Sequence, residues 1–196
     1  MTPTLESTPR MPCFPPMLGR FLLLGGLALM TPACGEDYDT YVELREPSGM
    51  HELSASEPVG SRRFRMVAAA KPDTRAKVAW PYLSLNVGRR WSNPDASSAE
   101  VVYPWLRVRL VDESDGAVLD EDVVVFDEQG LPREENLANS PGRDDRAERF
   151  DVTYRLEFER QGTPSDGVIK VFWNTYASVS SSGDRDEVEF TVTEQP

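Results

Sequence analysis

The sequence predicts an all-β fold, an antiparallel β-sandwich of seven or eight strands that follows a cleaved leader, and three observations point to it. Apolar residues recur with period two from about residue 61 onward, turn residues separate these runs at short intervals, and no stretch carries a convincing amphipathic helical pattern. The alternation is clearest over residues 149–159, where Phe150, Val152, Tyr154, Leu156 and Phe158 alternate with Asp151, Thr153, Arg155, Glu157 and Glu159. A helix would scatter those side chains around its circumference, whereas a strand gathers them on one face. One sheet could not bury so many apolar faces alone, so two sheets must share them.

The leader comes first. Residues 17–34 read Met-Leu-Gly-Arg, then Phe-Leu-Leu-Leu-Gly-Gly-Leu-Ala-Leu-Met, then Thr-Pro-Ala-Cys. A basic start, an apolar stretch and a small-residue end, in that order, make a secretory signal. The apolar stretch 21–30 is half the length of about 20 residues that a spanning helix needs, so removal is expected rather than a permanent anchor. Residues 1–16 lie ahead of this signal and add nothing to it, so Met11 or Met17 is an alternative start.

At its end the signal resembles the lipobox of bacterial lipoproteins, in which a cysteine follows small residues. Ala33 and Cys34 match that motif, while Thr31 and Pro32 depart from its usual residues. The resemblance implies cleavage after residue 33, diacylation of Cys34 and attachment to the membrane through that lipid. Gly35 after the cysteine implies placement in the cell envelope at the outer membrane, facing the periplasm or the cell surface. The alternative is ordinary signal cleavage, since Thr31-Pro32-Ala33 also passes as a small-x-small site.

Residues 34–60 are expected to form the lipidated cysteine and a tether, with one short strand around 41–44 and turn residues Pro47, Ser48, Gly49, Ser54, Ser56 and Pro58. The domain is expected over 61–196. Strand patterns run through Phe64, Met66 and Ala68; Leu83, Leu85 and Val87; Leu106, Val108 and Leu110; Ile169, Val171 and Trp173; and Val188, Phe190 and Val192. Residues 112–116, Asp-Glu-Ser-Asp-Gly, read as a hairpin turn into the β-branched run 123–126. Residues 127–148 carry Gly130, Pro132, Pro141, Gly142 and many charges, which predicts a long loop.

In family terms the pattern over 61–196 looks like the immunoglobulin-like sandwiches common in bacterial envelope proteins. The Cys, Trp, Cys hallmark of antibody domains is absent. A lipocalin barrel is the alternative, and Gly88-Arg89-Arg90-Trp91 misses that family's Gly-x-Trp signature by one residue.

Composition narrows the function. The chain carries 33 Asp and Glu against 21 Lys and Arg, and removing residues 1–33 takes the net charge from −12 to −13. Such a surface repels phosphate backbones, so nucleic acid is a poor partner. Cys13 and Cys34 both fall at or before the cleavage point, leaving no internal disulfide in the domain. His51 is the only histidine, which weighs against a Ser-His-Asp hydrolase and a histidine-based metal centre. No nucleotide-binding loop or zinc-type cysteine pair occurs, so neither a catalytic residue nor a metal or cofactor is assigned. Asp112-x-Ser114-x-Gly116 places glycine one residue too early for a calcium loop, and nothing sets Asp120, Glu121 and Asp122 in a cleft.

The remaining hint is aromatic: Trp80-Pro81-Tyr82, Trp91, Tyr103-Pro104-Trp105 and Phe172-Trp173. Exposed rings on a sandwich can stack on sugars, and Trp91 and Trp105 are the candidate ligand-binding residues, although most such rings fill cores. The leading expectation is a non-enzymatic envelope lipoprotein acting as a protein-interaction or structural module. The alternatives are a glycan-binding module, a lipocalin-like carrier of a small apolar ligand and, on the acidic clusters alone, a carboxylate-based hydrolase.

Overall fold

A computed structural model of the chain describes residue 38 and residues 40–93, 102–127, 130–140, 146–163 and 166–195. The leader and Cys34 lie outside the described residues. Eleven strand segments follow in chain order: β1 (Thr40–Leu44), β2 (Ser48–Leu53), β3 (Val59–Ala70), β4 (Val78–Ser92), β5 (Trp105–Asp112), β6 (Val118–Val125), β7 (Arg133–Ala138), β8 (Arg146–Ala147), β9 (Arg149–Gln161), β10 (Val168–Ser181) and β11 (Val188–Gln195). One 3-10 turn, Arg185–Glu187, precedes β11. The strands form two antiparallel sheets packed as a sandwich. The first has the order β1-β10-β4-β7, with β2 beside β1 on β10 and β8 beside β7 on β4; the second has the order β11-β3-β9-β5-β6.

These pairings describe a long antiparallel hairpin that has been rolled up. At its tip β5 pairs β6; then β4 pairs β7 and β8, β3 pairs β9, and β10 pairs β1 and β2. Rolling the hairpin sets β10 beside β4 and β9 beside β5. That is the double Greek key of a jelly roll, with β11 added at the free edge of β3. The antiparallel sandwich expected from the sequence is therefore present, and its connections refine the immunoglobulin-like reading. An immunoglobulin domain keeps its first two strands in one sheet, whereas here the chain changes sheet at every step from β2 to β5. The order is equally distinct from the up-and-down barrel of a lipocalin, and side chains fill the interior.

The inward face of β9 is the one that alternation predicts. Tyr154, Leu156 and Phe158 are buried, and Phe150 and Val152 pack against the same core. Its neighbours in the sheet add Phe64, Met66 and Ala68 from β3 and Leu106, Val108 and Leu110 from β5, and the facing sheet adds Leu83, Leu85 and Val87 from β4. The hairpin at 112–116 is also as expected. Asp112 accepts from the Ser114 amide through its side chain (2.8 Å) and from the Gly116 amide through its carbonyl (2.9 Å), while Asp115 accepts from the Ala117 amide (2.8 Å). Those carboxylates brace a turn, which is the ordinary use of Asp at such positions.

Two expected boundaries are corrected. The segment 34–60 is not simply a tether, because β1 and β2 both pair with β10, in register from Thr40 opposite Ser181 to Leu53 opposite Ile169. Part of the expected loop 127–148 is strand as well: β7 pairs β4 from Ser84 opposite Ala138 to Arg89 opposite Arg133, and β8 pairs Val78 and Ala79. Residues 128–129 and 141–145 lie outside the described residues. Between β7 and β8 the buried Asn139 supplies the missing ladder itself. Its side-chain oxygen accepts from the Leu83 amide (2.8 Å), and its amide nitrogen donates to the Pro81 carbonyl (2.8 Å) and the Tyr154 hydroxyl (2.9 Å). This matters because β4 bulges there: the register shifts between Ser178 and Ser180 opposite, and Trp80 takes a positive φ of 53°.

Candidate functional site

The outer face of the second sheet carries a grid of paired charges. Arg65 grips Asp151 with two nitrogens at 2.8 Å each, and Arg149 reaches the same carboxylate at 3.0 Å. Arg63 and Arg155 stand directly opposite each other, a like-charge pairing that the turn residue Glu113 relieves by accepting from both, at 2.8 and 3.0 Å. Arg155 continues to Glu157 (2.9 Å), which Arg109 also meets (2.7 Å), and Arg107 pairs Glu159. The two guanidinium groups beside Asp151, Arg65 foremost, hold its carboxyl well below the usual range, and the hydrogen bond from Arg63 lowers the Glu113 pKa. These six arginines thus share four carboxylates, a surplus of two positive charges within the grid.

The grid gives way to an apolar corner at the β5–β6 edge. Trp105 lies on the outer face between Val125 and Gln161, and Arg107 sits opposite Val123. Val125 is 65% exposed, and Val123, two residues before it on the same face, is exposed as well. Of the two aromatic candidates, Trp105 is therefore placed outward, half-buried. Trp91 is not: it is 0% exposed, on the inward face of β4, with its ring tilted against Tyr103 at 5.2 Å. The alternation Leu83, Leu85, Val87 extended by four residues lands on Trp91, so period two predicts its burial where a reading by neighbours Arg89 and Arg90 does not. Cys34, the lipidation candidate, is outside the described residues.

His51 is no longer isolated. On β2 it packs at one end of the sandwich, its ring stacked on Phe158 at 5.8 Å, and Phe158 is stacked in turn on Trp173 at 5.7 Å. Arg62 lies over the Trp173 ring, donates to His51 Nδ1 at 3.2 Å and pairs with Glu194 at 3.4 Å, while the Trp173 indole donates to Glu194 at 3.3 Å. Because arginine only donates, Nδ1 is the acceptor and the neutral ring carries its proton on Nε2. Two glycines make the stack fit: a Cβ at Gly49 would stand 2.4 Å from the Trp173 ring, and one at Gly60 would stand 2.1 Å from His51 Nε2. Burial first, then the Arg62 charge, lower the His51 pKa, opposed by Glu57 and Glu52. The ring's contacts, Phe158 on its face and Arg62 at Nδ1, are those of a packed aromatic end.

Burial of Arg89, like that of Arg160, escaped the sequence reading. Arg89 lies inside the sandwich, its side chain 2% exposed, and donates through Nη1 to Asp122 on β6. Among the described residues its Nε and Nη2 have no hydrogen-bond partner. The signal was available, because Arg89 follows Leu83, Leu85 and Val87 at the next inward position. Among the described residues no group of three or more His, Cys, Asp or Glu could hold a metal ion, and no helix is long and apolar enough to cross a membrane.

No protein-family model and no curated protein matches the chain. Among solved structures, the chain is similar to the VP2 protein of infectious bursal disease virus in its subviral particle, with 12% identity, a TM-score of 0.27, and coverage of 79% of this chain and 42% of that one. The structure of the Gt strain of the same virus gives 10% identity, a TM-score of 0.25, and coverage of 76% and 41%. The chain spans about two fifths of the length of those viral proteins. The jelly-roll order stands on the strand pairings themselves.

Proposed function

We propose that this protein is an envelope lipoprotein, anchored through Cys34, whose jelly roll acts as a non-enzymatic protein-interaction module. The observation that carries the reading is the outer face of the second sheet, where an ion-pair grid borders exposed Val123 and Val125 with Trp105 between them and the arginines. Exposed apolar residues that cluster beside aligned arginines and an aromatic ring have the composition of interface centres. The lipobox-like end of the leader supports the anchor, as argued from Ala33 and Cys34.

A photo-crosslinking residue placed at position 125 in cells tests this. A discrete adduct is expected there, lost when Val123 is changed to Glu, and none is expected from the same probe at exposed position 189 on β11 of the same sheet. Equal labelling at both positions, or none at 125, contradicts the reading. The glycan alternative is favoured by one observation, the outward ring of Trp105. Retention of the parent, but not of Trp105→Ala, on an envelope-glycan column would select it.

A further inference from the structure

Arg89 presents an unusual surplus of donors. An arginine side chain carries five N–H groups and stays charged at any ordinary pH, so burying it requires acceptors around it. Asp122 takes Nη1, and among the described residues the other edge of the guanidinium, Nε with Nη2, is unpartnered, as is the indole N–H of Trp91 two residues on. Buried polar groups are almost always paired, which makes this edge an exception that calls for a cause. The two free nitrogens point their N–H bonds in parallel, at the spacing of a carboxylate's two oxygens.

The neighbours in the first sheet do not supply that acceptor. Directly across β4 from Arg89 stand Arg133 on β7, a second cation tied to Asp127 at 2.5 Å, and Val171 on β10. The Nε–Nη2 edge itself is closed to solvent, and the exposed group nearest it is the Asp122 side chain on the other edge, 32% exposed, so a ligand reaches the edge through the seam beside Asp122. Asp122 and Arg133 belong to β6 and β7, edge strands of opposite sheets that meet along one seam of the sandwich. We propose that this seam is a binding slot for a carboxylate-bearing ligand, received on the Nε–Nη2 edge of Arg89.

The slot's charges set the expected behaviour. Asp122 pairs with Arg89 and Asp127 with Arg133, so long-range attraction is weak and recognition depends on the fork of two N–H donors at short range. Removing one of the acids should tighten binding, and removing the fork should abolish it.

The test uses the purified protein with acetate as probe and chloride at matched ionic strength as control. Acetate should raise the thermal midpoint saturably and shift the Arg89 Nε–Hε resonance, assigned by its loss in Arg89→Lys. Arg89→Met should weaken the midpoint response at least about tenfold in apparent affinity, the scale of one lost charge-assisted bidentate pair. That variant leaves Asp122 without its cation, so Arg89→Lys, which keeps the charge but lacks the fork, is measured beside it and should weaken the response as well. Asp122→Asn should strengthen the response. N-acetylglycine, which mimics a peptide terminus, separates the ligand sources: tighter binding than acetate points to a partner's chain end, and equal binding to a small acid. If acetate acts no differently from chloride, or Arg89→Met keeps the full response, the slot does not exist.

Discussion

Asn139 closes the gap between β7 and β8 with its own side chain, and its contacts make a direct prediction. Changing it to Ala leaves the Leu83 amide and the Pro81 carbonyl without the partners they now have inside the fold. Each unsatisfied buried group costs about 1–3 kcal/mol, so urea unfolding should register a loss of at least that size, and an unchanged midpoint would show that the bulge is held by other means. His51 makes a second prediction, through pH. Its folded-state pKa lies below the unfolded value, so the folded protein takes up that proton less readily. The stabilising contribution is therefore complete above the ordinary imidazole range and is lost as pH falls from that range through the folded pKa. The parent should lose more stability between about pH 7 and pH 5 than a His51→Gln variant does. Parallel pH profiles for the two would remove His51 from the account.

At the scale of elements, β9 joins sequence to fold most directly. Leu156 is fully buried, and its replacement by Ala should cost about 2–5 kcal/mol in urea unfolding; a variant that unfolds like its parent would mean that the inward face is misassigned. Strands of this kind were legible because their inward positions are large and apolar and their outward ones charged. β2 was not, since its inward positions are Gly49, His51 and Leu53, and only the last reads as apolar. Gly49 is inward because the Trp173 ring occupies the space of a side chain, a fact of packing that no local pattern carries. Gly49→Ala should accordingly destabilise the domain by about 1–3 kcal/mol, the usual cost of overpacking. β7 was hidden in the same way, with Arg133 and Glu135 where a core strand would place apolar residues and Leu137 alone buried. Of the candidate site, the outward Trp105 was legible, whereas the burial of Trp91 and Arg89 required carrying the alternation of β4 to its end.

Over the whole molecule, the net charge of −12 coexists with an outer sheet face whose arginines and carboxylates satisfy one another. Asp151 and Glu113 have folded-state pKa values below their unfolded ones, so what they contribute is present above the ordinary carboxylate range and is lost as acid takes the pH through the folded values. These groups are exposed, and salt should screen their contribution. The central claim concerns where such a domain works. Two or three acyl chains on one cysteine would hold even this anionic domain at a bilayer, at roughly 0.8 kcal/mol for each buried methylene, while a single chain would be marginal. Cys34→Ala should release the protein to the soluble fraction or leave it unprocessed, and Cys13→Ala should change neither. Mass spectrometry of the protein extracted from cells tests the claim most directly: a chain of 163 residues that starts at Cys34 and carries acyl mass is the predicted result, and an unmodified cysteine terminus, or a chain that retains residues 21–30, would contradict it.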